Sequence, residues 1–156
     1  MAQDEAPGVH RSPRPRASKV LFVHPEPEQL NELERRVREH LPALEVVTAD
    51  SGKDALLKTG FYRPDALVMD IGLRDLSVAQ VIGTVRWHPA LRQTAILVLA
   101  ANWSRDELAQ MEAAGADACL TTPWLVEKLM LFVPSVSTDA GLDGLLRPPR
   151  SKFPVN

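Results

Sequence analysis

A chain of 156 residues, 45% of them hydrophobic, can bury one full core and not two, so one domain with flanking tails is expected. A formal net charge of -2 gives no global attraction to nucleic acid or to an anionic membrane. Cys119 has no second cysteine for a disulfide, no Cys/His cluster has metal-site spacing, and no apolar stretch reaches spanning length or forms a signal-peptide core, so a cytoplasmic protein is expected.

Residues 1–18 carry Pro7, Gly8, Pro13 and Pro15 among Arg11, Arg14 and Arg16 with little that is apolar, and read as a disordered, mildly basic tail. Order is expected over 19–134. Val20-Leu21-Phe22-Val23 is a first strand, broken by His24-Pro25-Glu26-Pro27, whose prolines suit the first turn of a helix because they lack the N–H that would be unpaired there. Leu30, Leu33, Val37 and Leu41 recur at helical spacing and predict an amphipathic helix over Glu28 to Leu41. Leu44 to Ala49 reads as a second strand, and Gly52 to Thr59 as a second helix closed by Gly60.

The turn signal Arg63-Pro64-Asp65 launches a third strand, Ala66 to Met69, which ends abruptly in Asp70. Val78, Val81, Ile82 and Val85 mark a third helix that stops before His88-Pro89, and Ala95 to Leu99 is a fourth strand. Ser104 and Glu107 form a capping box opening a fourth helix that ends at Gly115. Asp117 to Thr121 is a short fifth strand, with Cys119 as a small buried hydrophobe, and Pro123 to Val133 is a fifth helix. Strands alternating with helices predict an α/β fold with a parallel sheet and helices on both faces. Ligands and chemistry gather outside the carboxyl ends of such strands, which makes Asp70 the candidate functional group.

Residues 19 to about 133 resemble the receiver domain of two-component response regulators. The likeness rests on Lys19 to Val23, Thr48-Ala49-Asp50-Ser51-Gly52, Pro64 to Ile71, Ile96 to Ala101, Glu112 to Asp117 and Leu120 to Pro123. It implies a flavodoxin-like (βα)5 fold with strand order 2-1-3-4-5, and a phosphoacceptor aspartate at Asp70. It also implies a Mg²⁺ site built from an acidic pair after the first strand, the acceptor and a backbone carbonyl, here that of Gly72. The acidic pair falls on His24 and Pro25, the hydroxyl on Ala100 and the phosphate-binding lysine on Thr122, while the aromatic switch position is Cys119. Glu26 is the nearest substitute carboxylate. One carboxylate and one carbonyl are too few to hold Mg²⁺, and a phosphoryl group would lose two hydrogen bonds of about 1–3 kcal/mol each. No metal and no cofactor are therefore expected.

Asp70 then either accepts hydrogen bonds from loop N–H groups and holds neighbouring turns together, or still accepts a phosphoryl group. His24 beside it is expected to pair with it, a metal-free imitation of the phosphorylated pocket. The family likeness implies a cis Thr122-Pro123 bond. On the fifth helix, Leu125, Leu129 and Phe132 face the core, while Val126, Met130 and Val133 form a second apolar side, either partner-covered or scattered at the surface. Trp103 and Trp124 lie on the same face; Trp103 either fills space beside the altered pocket or anchors a partner.

Residues 135–156 read as a flexible tail, with 142–153 as a docking segment through Leu145, Leu146, Arg147, Pro148, Pro149 and Arg150. The reading of the whole is a pseudo-receiver, a non-enzymatic protein-protein interaction module of bacterial signal transduction. Its protein partner or second copy meets the helix 4, strand 5, helix 5 face, and neither nucleic acid nor membrane is expected as a partner. The alternative is a single-domain response regulator in a phosphorelay through Asp70. Other chemistry lacks a second nucleophile and base pair or a Gly-rich phosphate loop.

Overall fold

The computed structural model describes residues 18–122 together with Lys128, Leu129 and Phe132. The expected alternation is present through the fifth strand: β1 Lys19–Val23, α1 Pro27–His40, β2 Glu45–Ala49, α2 Gly52–Tyr62, β3 Ala66–Asp70, α3 Val78–Trp87, β4 Ala95–Ala100, α4 Arg105–Ala114 and β5 Ala118–Thr121, while most of the expected fifth helix, 123–133, lies outside the described residues. The strands form one parallel sheet in the order β2-β1-β3-β4-β5. Their apolar runs alternate between two faces because successive side chains of a strand point to opposite sides. Val20, Phe22, Val68, Leu97 and Leu120 pack with Leu30 and Val37 of α1, with Leu41 at its C-cap and with Leu129. Leu21, Val23, Met69, Ile96, Val98 and Cys119 pack with Ala55 of α2, Val81, Ile82 and Val85 of α3, and Met111 of α4. Leu129 is buried and Phe132 packs against the same cluster, so these two residues of the expected core side lie in the core. Leu125 and the second apolar side, Val126, Met130 and Val133, lie outside the described residues, as do Pro123, Trp124, the first 17 residues and the segment 142–153.

One helix end differs from expectation. Gly60 does not close α2, which continues to Tyr62 and ends where Arg63 adopts a left-handed conformation at φ 51°, its N–H donating to the Thr59 carbonyl. Pro64 follows, and proline disfavours a helical conformation in the residue before it, so the stop is set by Arg63-Pro64. Three other ends follow the capping chemistry. Ser104 and Glu107 cap α4 reciprocally, Gly115 ends it at φ 113°, and an unforeseen second capping box, Ser77 with Gln80, opens α3.

The edge of the sheet remote from Asp70 is clamped by Arg86, near the end of α3. Its guanidinium donates to the Thr94 carbonyl (2.6 Å), the Arg92 carbonyl (2.7 Å), the Gly115 carbonyl (2.9 Å) and Asp117 Oδ2 (2.8 Å). The same Asp117 oxygen accepts from the Ile96 N–H at 2.8 Å, although Asp117 is only 3% exposed. A Cβ on Gly115 would lie 3.0 Å from the Arg86 side chain, so glycine there serves both the left-handed turn and the close approach. A buried charge stays affordable only while its partner stands. Arg86→Met is therefore expected to cost about 3–5 kcal/mol in urea unfolding. Arg86→Met combined with Asp117→Leu should recover much of that loss, because it removes the stranded carboxylate as well.

Candidate functional site

Parallel pairing of β1 with β3 runs up to Val23 opposite Met69, so the next residues along each strand, His24 and Asp70, emerge as neighbours on one face at the carboxyl end of the sheet. The backbone continues the pairing just beyond the strands. The His24 N–H donates to the Ala49 carbonyl (3.1 Å), the Ile71 N–H to the Leu99 carbonyl (2.9 Å) and the Thr122 N–H to the Ala100 carbonyl (2.9 Å). These bonds fix where the three loops leave the sheet.

Both oxygens of Asp70 face groups of the protein itself. Oδ2 accepts the Gly72 N–H at 2.8 Å, and Oδ1 stands 3.6 Å from His24 Nε2. A Cβ on Gly72 would meet Asp70 Oδ2 at 2.9 Å, so the tight turn over the carboxylate needs glycine. On the other side of the imidazole, Nδ1 accepts the Glu26 N–H at 3.0 Å. With Nδ1 occupied as an acceptor, the ring proton resides on Nε2, the nitrogen that faces Asp70. The expected imidazole–carboxylate juxtaposition is thus present, with side chains only 16% and 23% exposed.

The remaining positions are equally specific. Pro25 is half-buried and offers neither donor nor acceptor, and Glu26 is the N-cap of α1, where proline follows as the first helical residue. The Glu26 carboxylate points to Arg74, Oε2 to Nη2 at 2.6 Å, rather than into the pocket. Ala100 is a buried methyl in register with Thr121, and Thr122 is half-buried beyond the strand. The donor set near Asp70 is therefore one carboxylate with an imidazole in front of it and an amide behind it. Mg²⁺ requires several hard oxygens in near-octahedral array, and these residues do not fit it. Among the described residues no group of three or more His, Cys, Asp or Glu side chains is arranged to hold a metal ion.

Trp103 sits in the loop between β4 and α4. Its indole Nε1–H donates to the Leu120 carbonyl at 3.0 Å, and its ring packs against the cluster that includes Cys119 and Met111. The indole thus ties the loop to β5. Burial pushes the Cys119 thiol up to about 12, with the Glu112 charge adding to the effect.

Two residues of the loop after β3 carry more than their spacing announced. Arg74 bridges to Glu26 across the mouth of the pocket, and Asp75 caps α2. Its Oδ1 accepts the Gly52 N–H at 2.8 Å and its Oδ2 the Lys53 N–H at 2.9 Å, while Ser51 Oγ accepts the Asp54 N–H at 3.0 Å. The first three helical N–H groups of α2 are thereby satisfied, two of them by a residue 22 or 23 positions away. A turn-like carboxylate two residues before Ser77 was the available signal, but its partner lay in another loop.

The Lys53 amide, then the Gly52 amide, holds the Asp75 carboxyl below the usual aspartate value. A carboxylate depressed in the folded state contributes stability above its ordinary value and loses it as pH falls through the folded one. Asp75→Ala is accordingly expected to lower the thermal midpoint at neutral pH, with the gap to wild type closing as the pH falls into the acid carboxylate range. Cys119 should resist alkylation in the native protein at mildly alkaline pH and react fully once the chain is unfolded, read by intact mass.

A family model described as the response regulator receiver domain matches residues 20–133. Among curated relatives, the transcriptional regulatory protein KdpE of Mycobacterium tuberculosis is 31% identical, over 71% of this chain and 47% of its own length. The transcriptional regulatory protein PrrA of Mycobacterium bovis is 34% identical, over 74% of this chain and 48% of its own. The chain spans about half the length of these curated relatives. Among solved structures, the chemotaxis response regulator CheY4 of Vibrio cholerae matches with a TM-score of 0.65 and 26% identity, covering 72% of this chain and 92% of that one. With the strand order, the position of Asp70 and the matched span in agreement, this chain belongs to the response regulator receiver domain family.

Proposed function

We propose that this chain is a pseudo-receiver. It works as a non-enzymatic protein-protein interaction module in two-component signalling, and its Asp70 pocket is closed by its own side chains instead of by a metal ion and a phosphoryl group. The observation that carries this reading is the placement of His24 Nε2 at 3.6 Å from Asp70 Oδ1 while Gly72 N–H holds Oδ2 at 2.8 Å. An incoming phosphoryl group needs one Asp70 oxygen as nucleophile and cationic help for its own oxygens. Here Oδ2 already accepts the Gly72 N–H, Oδ1 is faced by the His24 imidazole, Glu26 is turned to Arg74, and the hydroxyl and lysine positions are Ala100 and Thr122.

In this reading the output is contact. The face built from α4, β5 and the following segment, including Trp103, Trp124, Val126, Met130 and Val133, meets a protein partner, with 142–153 as an accessory docking segment. The Trp103 tie to the Leu120 carbonyl supports a face held in one arrangement. The second reading, a phosphorelay through Asp70, draws on the carboxylate's remaining 23% exposure and on the match to the response regulator receiver domain.

Incubation with acetyl phosphate and Mg²⁺ followed by intact mass measurement separates the two. No phosphoryl adduct is expected on the wild type. An adduct that disappears in Asp70→Asn would establish the phosphorelay reading instead.

A further inference from the structure

The outer faces of α2 and α3 carry an apolar surface that the fold does not explain. Leu57 and Phe61, one turn apart on α2, are 73% and 78% exposed, and Trp87 at the end of α3 is 78% exposed. The buried residues Ala55 and Thr59 of α2, and Val78, Val81, Ile82 and Val85 of α3, lie on the opposite sides of the two helices. The exposed side chains therefore point straight out to solvent. The helices pack side by side and both descend from the carboxyl end of the sheet, so Phe61 and Trp87 lie at the same end. Beside them on the same outer faces stand Gly60 and Gly83, and a Cβ at either would meet nothing within 4 Å. Glycine is the poorest helix former after proline, and nothing in this chain's own packing calls for it at these two helical positions.

We infer that the α2–α3 face binds a second copy of this chain, the bulky Leu57, Phe61 and Trp87 of one protomer entering the shallow places left by Gly60 and Gly83 of the other. Projections and gaps occur together on one surface, as a two-fold interface requires, since such an interface must be complementary to itself. The charge pattern agrees. Lys53 is the main charge on the outer strip formed with Leu57, Gly60, Phe61, Gln80, Gly83, Thr84 and Trp87, and Asp54 and Lys58 beside it pair with each other at 3.2 Å. A face so nearly neutral meets its own copy without like-charge repulsion. Area agrees too: Leu57, Phe61 and Trp87 present on the order of 450 Å² of apolar surface, close to the apolar share of the roughly 800 Å² each partner gives to a standard interface. This surface is distinct from the α4–β5 face.

Sedimentation velocity of the full chain across a concentration series tests the inference. The wild type is expected to shift from monomer to dimer, and Phe61→Glu with Trp87→Glu to remain monomeric with an unchanged circular dichroism spectrum. Gly83→Gln is the more exacting variant, because it improves the helix while blocking close approach. It should raise the thermal midpoint of dilute protein and weaken dimerisation about tenfold or more. A wild type that stays monomeric at every concentration, whether bare or covered by its own tail or reserved for a different protein, would overturn the inference. So would a dimer that survives the glutamate pair, or a Gly83→Gln variant that associates like the wild type.

Discussion

A carboxylate at the end of a buried strand has to be satisfied by something, and in this protein the chain itself supplies the partners. Asp70 is delivered by β3 to the half-exposed carboxyl end of the sheet, with an amide 2.8 Å from one oxygen and an imidazole 3.6 Å from the other. The amide is available because Gly72 lets the loop fold back over the side chain, and the imidazole because parallel pairing places His24 beside Asp70. His24 is in turn oriented by the Glu26 N–H, and the Glu26 side chain is drawn away by Arg74. Each link fixes the next, so the pocket is organised before anything binds to it.

The surrounding scaffold makes this arrangement rigid. Asp75 closes the start of α2 with a bidentate contact from the same loop that holds Gly72 and Arg74, so the loop over Asp70 is anchored to a second helix. At the far edge, Arg86 gathers three carbonyls and Asp117. A network of this kind gains little over an apolar core in net stability, and here it ties the end of α3 to the starts of β4 and β5. Trp103 adds a tie from the β4–α4 loop to β5. Crowded carboxylates repel one another, and at the position where the family likeness places an acidic pair this chain has His24 and Pro25 in front of Asp70.

Much of this was legible in the residues. Apolar runs too short for helices announced the buried strands, 3.6-residue spacing announced α1 and α3, and Ser104 with Glu107 announced α4. Asp70 and His24 were legible as neighbours only through the receiver resemblance, which placed the first strand beside the third and His24 at the position of an acidic pair. The misreading at Gly60 shows the limit of a local rule: glycine near a helix end is a stop only where the backbone turns left-handed, and that turn fell on Arg63. Arg74, Asp75 and the Arg86–Asp117 pair were not legible because their partners lie in loops or strands whose approach depends on crossover geometry. Spacing along the chain carries no information about a carboxylate that caps a helix from another loop. Glu26 was legible as a nearby carboxylate but not as one already taken.

The central claim is that Asp70 is committed to internal partners and blind to metal. Amide and imidazole NMR spectra during titration with Mg²⁺ and beryllofluoride address it most directly, with the Gly72 amide and the His24 ring as reporters. The account predicts that both signals stay in place through millimolar metal. Saturable, metal-dependent shifts at Gly72 and His24 that vanish in Asp70→Ala would contradict it.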